Sequence, residues 1–349
     1  MSKKQTKILV CGATGKTGGA TTRELLKKGF SVRALAHKVD ERSDKLEKEG
    51  AEIFFGSMSD YNSMCDALQG IDRVYFVAPW TPDQLHIAIT FATAVAASEV
   101  GHIVAITQWL SDPSHPAVAT RESFLTDQVF DWIPNTSLTK INVGWFADNY
   151  MPPQLLAVIA QLGIFPFPLG KGNTAPISNE DIGRVAATVL ASPTEHAGKT
   201  YRPTGPRLIS PEEIAATFAE ILGRPVKYQN IPEKMFLKAL KYMGMSQHMQ
   251  SQLRHYIKDY QYGSFERDAP NDVMQGITGS PAEDFETIAR RYIAQSPLTN
   301  KGFGNKLAAI KGFLTLASTK PFDLDDYAIK HHQPTIQSPR FVKALTKVA

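Results

Sequence analysis

Three glycines in KILVCGATGKTGG, Gly12, Gly15 and Gly18, stand where an apolar run gives way to an amphipathic one. That spacing suits one task. Gly12 closes a tight turn, Gly15 lets amides approach phosphate oxygens, and Gly18 lets a helix pack close to the preceding strand. A helix beginning there turns its free N–H groups and positive dipole end toward an anion. Thr14, Lys16 and Thr17 add two hydroxyls and a cation at the same edge. The chemistry is recognition of a diphosphate, and in a strand-to-helix setting the group bearing it is a dinucleotide cofactor.

The next apolar run, SVRALAHKVDER, bears on which dinucleotide. An acid at the end of this strand accepts from the ribose 2′-hydroxyl of NAD, whereas a cation meets the 2′-phosphate of NADP. Ala36 is followed by His37 and Lys38, with no acid before Asp40. The reading favours NADP(H) over NAD(H).

Such a loop needs a scaffold, and residues 7–145 supply one. Short apolar runs predict strands at Lys7–Cys11, Ser31–Ala36, Glu52–Phe55, Arg73–Phe76, His102–Thr107 and Leu138–Asn142. Longer amphipathic segments predict helices at Thr17–Lys28, Ser43–Glu49, Ser59–Leu68 and Asp83–Ser98. The alternation is that of an α/β, Rossmann-type doubly wound parallel sheet. Residues 1–145 are expected to form this core. Beyond it, Pro152–Pro153, FPFPLGKG and RPTGPRLISPEE interrupt the alternation, and Ser210-Pro-Glu-Glu213 has the composition of a capping box at a helix start. Residues 146–295 are expected to be a smaller mixed α/β lobe, interleaved with the core and sharing a cleft with it. Residues 296–349 form an extension with eight Lys/Arg against three Asp. Its segment LAAIKGFLTLA has the basic, apolar make-up of a helix that can lie on a membrane surface, and the reading favours instead a terminal helix docked on its own protein or on a second subunit.

Composition narrows the function. The formal net charge of +4 is spread along 349 residues, which offers no footprint for nucleic acid. Cys11 and Cys65 fit no metal-ligand spacing, so no metal site is expected. The chain passes from MSKKQ directly into a strand and has no run near the roughly 18 apolar residues of a membrane span. A cytoplasmic protein, monomer or homodimer, is the expectation.

GATGKTGG, VRALAHK, ALQGIDRVYFVAP, INVGWFADNYM and PISNEDIGRVAATVL together resemble the NmrA-like group of atypical short-chain dehydrogenases, over roughly residues 6–293. The resemblance implies the Rossmann fold and an NAD(P) cofactor. It also implies one of two roles, since the group holds NAD(P)H-dependent reductases of quinones, dyes and phenolic compounds as well as regulators that bind the dinucleotide without turnover. Carried over, Gly12, Thr14, Gly15, Lys16, Thr17 and Gly18 hold the diphosphate, and His37 stands where relatives place a 2′-phosphate arginine. By the same resemblance, Ser57 and Met58 lie beside the adenine, in place of a Gly-Asp-Leu. Ala78, Pro79, Thr107 and Gln108, at strand ends, border the nicotinamide ribose. Trp145, Phe146, Asn149 and Tyr150 line the substrate side of the cleft, with Trp109 adjoining, where two rings would stack a flat acceptor.

One departure concerns proton chemistry. Reductases of the wider superfamily use a tyrosine and a lysine four residues apart. After the fifth strand this chain reads SDPSHPAVATRESFLTDQVFDW, with neither residue. His115 as proton donor, Arg121 as an oxyanion partner, with Glu122 beside it, and Thr107 as a hydroxyl at the strand end are the candidates that remain. Hydride transfer to a quinone asks less of the protein, because both oxygens take protons from water. The reading is therefore an NADPH-dependent reductase of a flat conjugated acceptor, an aromatic or quinone-like small molecule. The alternative is a non-catalytic NAD(P)-sensing regulator that contacts a protein partner.

Overall fold

A computed structural model describes residues 5–333. Seven parallel strands form the main sheet in the order β3-β2-β1-β4-β5-β6-β8. They are β1 (Lys7–Val10), β2 (Ser31–Ala36), β3 (Glu52–Phe55), β4 (Arg73–Val77), β5 (His102–Gln108), β6 (Ser137–Val143) and β8 (Thr200–Tyr201). A parallel pair, β7 (Ile164–Phe167) and β9 (Lys227–Asn230), forms a second sheet. Six strands lie within two residues of their expected ends because each is an apolar run closed by turn residues. The strand order reverses between β1 and β4, which opens the crevice where α/β sheets bind ligands.

Alternation along β1 sends side chains to two cores. Leu9 and Cys11 face a cluster covered by α3 (Tyr61–Leu68), α4 (Gln84–Ala96) and α5 (Val118–Asp131), in which Phe76, Phe91 and Phe130 stack with centroids 4.4–5.4 Å apart. Ile8 and Val10 face the other, covered by α1 (Lys16–Lys27), α2 (Glu41–Lys48), α7 (Asn179–Ala191) and α12 (Val273–Thr278). Here α7 comes from far along the chain and packs on α1. Burial pushes the Cys11 thiol far above its ordinary range.

A third core lies beyond the sheet, among α6 (Pro153–Leu162), α9 (Pro211–Leu222), α10 (Glu233–Tyr242), α11 (Gln247–Gln261) and α13 (Phe285–Gln295). The short α8 (Pro193–His196) links α7 to β8. The capping box read at the start of α9 is present: Ser210 Oγ accepts from the Glu213 amide at 3.2 Å, and Glu213 accepts from the Ser210 amide at 2.7 Å. The extension begins with α14 (Phe303–Ser318) and α15 (Leu324–Lys330). One face of α14 docks on α6 and α10, and the basic residues Arg340, Lys343 and Lys347 lie outside the described residues. No helix among those described is long and apolar enough to cross a membrane. Among the described residues no cluster of three or more metal-ligating side chains occurs.

Candidate functional site

Gly12 turns the chain out of β1 at a φ of +67°, and a Cβ there would stand 2.9 Å from Val77 Cγ1. A Cβ on Gly18 would lie 2.2 Å from the Gly12 carbonyl oxygen. Backbone therefore packs on backbone where the loop enters α1, and only glycine fits. The Gly15 amide donates to Gly12 O and the Gly19 amide to Gly15 O, both at 2.9 Å. The amides of Lys16, Thr17 and Gly18 precede Gly19, the first intrahelical donor, and α1 has no side-chain cap and no acid in its first turn. These three amides could donate to an anion, while Gly15's own N–H closes the turn.

At the end of β2, His37 and Lys38 are exposed. Asp40, the first acid after the strand, is engaged elsewhere. It caps α2 by accepting from the amides of Arg42 and Ser43, and it pairs with the Arg42 guanidinium at 2.5 Å. That partner holds its carboxyl down to about 2. Arg42 Nη1 also reaches the Thr14 carbonyl at 3.4 Å. The edge beside the glycine loop therefore carries three basic side chains, of which sequence reading had picked His37 and Lys38 and missed Arg42.

Ser57 and Met58 follow β3. The Ser57 amide donates to Ser63 Oγ at 3.0 Å and its hydroxyl hydrogen-bonds Ser59 at 2.8 Å, while Met58 packs on the core under α3. Ala78 and Pro79 follow β4 at the crevice, half-buried. Thr107 and Gln108 close β5. The Thr107 hydroxyl is buried and has no hydrogen-bond partner within the protein. Gln108 Oε1 instead accepts from the hydroxyls of Thr120, at 2.7 Å, and Tyr256. That side chain is tied into the packing of α5 on α11.

Beside the glycine loop opens a cavity of about 520 Å³. Its polar end is formed by Lys16, Asp148 and Asn149. Lys16 Nζ pairs with the buried Asp148 carboxylate, which joins the start of α1 to the short 3-10 turn Ala147–Tyr150. From there the cavity runs between α6, α10 and α14 over apolar side chains, among them Trp145, Phe167, Phe236, Met235 and Phe313. Such a space suits an apolar molecule with few polar contacts. Asp148 and the methionine-rich wall were not anticipated. The wall rests on packing between segments at least 60 residues apart, for which no local pattern exists.

The five residues assigned to the substrate side divide. Trp145 and Asn149 line the cavity. Trp145 is also a core residue, ringed by Tyr150, Tyr260 and Phe265 at 5.1–5.9 Å. Tyr150 is wholly buried and its hydroxyl hydrogen-bonds that of Tyr260 at 2.9 Å. Phe146 packs on the opposite side, against the core between the sheet and α7. Trp109 is buried under Arg202, whose guanidinium carbon sits 5.4 Å from the ring centroid. For these three the structure replaces a substrate contact with core packing.

None of the proton-chemistry candidates lines the cavity. His115 is 1% exposed. Its Nδ1 accepts from the Ala117 amide at 3.0 Å, so the proton lies on Nε2, which faces Asp259 Oδ2 at 3.1 Å. The ring staples the loop after β5 to α11 instead of meeting a ligand. Arg121 sits half-buried on α5; desolvation, then Arg254, His115 and last Arg121, lowers the pKa of buried His255 to about 3. The Glu122 carboxyl beside it is raised to about 7, chiefly by burial.

Known proteins share this fold. The chain is 28% identical to the NAD(P)H azoreductase of Xenophilus azovorans over 296 residues, 82% of this chain and 98% of that protein. The Escherichia coli NADPH-dependent quinone oxidoreductase complexed with NADPH superposes with a TM-score of 0.71 at 22% identity, over 82% of this chain and 99% of that one. A negative transcriptional regulator complexed with NAD gives 0.62 at 17% identity, over 82% and 95%. The family model described as NmrA-like matches residues 4–112 and 156–278, about two thirds of the chain, and so takes in both the glycine loop and the lobe that walls the cavity. On that match, over a doubly wound sheet with its glycine cradle intact, the chain belongs to the NmrA-like family.

Proposed function

We propose that this chain is an NADPH-dependent reductase that passes hydride to a flat, conjugated, apolar acceptor such as a quinone. The observation that carries the reading is the single continuous space in which an apolar cavity meets Lys16 and Asn149 beside the anion-binding turn of α1. A purely structural use of the dinucleotide would not need a roomy, aromatic-lined space next to it. The names of the azoreductase and quinone-reductase relatives agree with this reading.

The glycine turn fits a diphosphate, because α1 opens on it with no side-chain cap and no acid in its first turn. In the proposed complex the amides of Lys16, Thr17 and Gly18 hold it. Arg42, Lys38 and His37 meet a 2′-phosphate, which favours NADPH over NADH, and the Thr107 hydroxyl gains the ribose partner that it lacks within the protein. When bound, NADPH supplies the hydride. The protein's own contribution is positional. Trp145, Phe167 and Phe236 give the acceptor one apolar wall of the cavity. Asn149 donates a hydrogen bond to one acceptor oxygen. Lys16, held by Asp148, places its positive charge where negative charge gathers on that oxygen. The protons come from water, so a tyrosine-lysine pair is not required. In this reading residues 1–145 are the cofactor core, 146–295 the acceptor lobe and 296–349 an addition to it.

The missing tyrosine-lysine pair also suits the rival reading, a regulator whose partner contacts follow the cofactor's oxidation state. Turnover separates the two. The folded full-length chain is mixed with NADPH and each of a simple quinone, an azo dye and an enal, and nicotinamide absorbance is followed. The proposal expects oxidation well above background with at least one acceptor. Demonstrable NADPH binding with background rates throughout would overturn it.

A further inference from the structure

The helix α14 is apolar on two faces, and the protein covers only one. Ala309, Gly312, Phe313 and Leu316 turn inward and roof the cavity. On the other face Phe303, Leu307, Ile310 and Leu314 follow one another at helical spacing and are 84%, 55%, 39% and 64% exposed. Scattered exposed apolar residues need no explanation, but four in one stripe do. At about 100° per residue, Lys306 and Lys311 fall on opposite flanks of this stripe, and Lys301 and Lys320 stand just beyond the two ends of the helix. All four lysines are exposed. No acid occurs between Ser296 and Phe322.

The inner attachment is firm. Gln161 on α6 donates to the carbonyls of Leu298, at 2.8 Å, and Asn300, at 3.0 Å, just before α14, and Lys238 on α10 donates to the Ala317 carbonyl at 2.6 Å near its end. The helix is thus presented as a fixed ridge, apolar along its crest and basic on both slopes. A crest of this kind sinks into the acyl boundary of a bilayer while lysine stems reach back to anionic headgroups.

We propose that α14 seats this protein on an anionic lipid surface through Phe303, Leu307, Ile310 and Leu314, with Lys306 and Lys311 on the headgroups. Charge decides among the occupants of the stripe. A second copy stacked crest to crest would bring two further pairs of lysines of the same sign against it. The segment from residue 334 onward is itself basic, with Arg340, Lys343 and Lys347 and no acid. An anionic bilayer offers the opposite sign along with an apolar interior. This inference stands on the helix alone and does not depend on the reductase reading.

The test is flotation of the full-length chain with vesicles of phosphatidylcholine alone and of phosphatidylcholine mixed with phosphatidylglycerol. At low salt the mixed vesicles should bind at least about tenfold tighter, and added salt should erase that preference. Lys306→Gln with Lys311→Gln should remove the preference for anionic vesicles. Leu307→Ser with Leu314→Ser should weaken binding to the mixed vesicles by roughly tenfold or more, with an unchanged melting temperature in lipid-free solution because both side chains are already exposed. A folded chain that floats with neither vesicle would overturn the proposal, as would binding indifferent to these substitutions. So would a melting temperature lowered by Leu307→Ser with Leu314→Ser, or a dimer that these substitutions dissolve, since either outcome assigns the stripe to a protein contact.

Discussion

The two ends of the crevice are built in opposite ways. The anion-binding end is a run of seven residues, 12–18, in which each shape is dictated by its neighbour. The acceptor end is a cavity whose walls come from α6, α10 and α14, positioned by contacts between segments far apart in the chain. Local geometry admits almost no substitution, whereas a packed apolar wall admits many, provided its volume is kept. The family match takes in the glycine loop, most of α6 and all of α10, and ends at residue 278, before α14. The end that binds the common cofactor lies inside the shared fold, and the roof over the acceptor end is added to it.

The largest effect should come from breaking the local end. Gly18→Val places a branched side chain against the Gly12 carbonyl and should cost about 3 kcal/mol or more of stability, measured by denaturant unfolding, together with loss of measurable NADPH binding by calorimetry. A comparable loss is expected at a long-range contact outside the cavity. His115→Ala strips Asp259 of its buried partner and should destabilise by about 3 kcal/mol, with cofactor affinity of the folded fraction retained. An equal loss of cofactor affinity would contradict the assignment of His115 to structure.

Smaller effects separate the two ends by function. Arg42→Ala should weaken NADPH binding by roughly tenfold and leave NADH binding nearly unchanged. The same loss for both cofactors would show Arg42 supporting the loop instead of reading the phosphate. Ala309→Phe, which fills the cavity from its roof, should raise the KM for a quinone severalfold without changing the NADPH Kd.

The smallest effect is in pH dependence. Burial raises the Asp127 carboxyl to about 7, with Oδ1 unpartnered. Because its folded pKa lies above its ordinary 3.8, its contribution is most favourable below about pH 4 and is lost as pH rises through 7. Asp127→Asn should therefore stabilise the protein by roughly 1–3 kcal/mol at pH 8 and by little at pH 4, read from chemical denaturation at the two pH values.

Much of the sheet was legible because each strand is a short apolar run ended by turn residues, and the glycine loop was legible because its constraint is local. His37 and Lys38 were readable as strand-end cations. Arg42 was not, since its approach to Thr14 depends on how Asp40 caps α2 and holds the guanidinium. Trp109 and Tyr150 have the composition of a substrate wall but are enclosed by Arg202 and by Tyr260 and Phe285, contacts 93 to 135 residues along. The isolated loop setting of His115 gave no hint of Asp259, 144 residues away on α11. Asp148 sat within the quoted GWFADNY block, yet its meaning appears only once Lys16 is brought to it from the far side of the crevice.

The central claim is that one continuous space receives NADPH at the glycine end and an apolar acceptor at the other. Its most direct test is a transient-kinetic one, in which the chain saturated with NADPH is mixed with a simple quinone and nicotinamide absorbance is followed. The account predicts oxidation that saturates with quinone concentration and that Ala309→Phe shifts to higher concentration without loosening NADPH. Saturable oxidation wholly indifferent to Ala309→Phe, or none above background from a folded NADPH-bound chain, would contradict it.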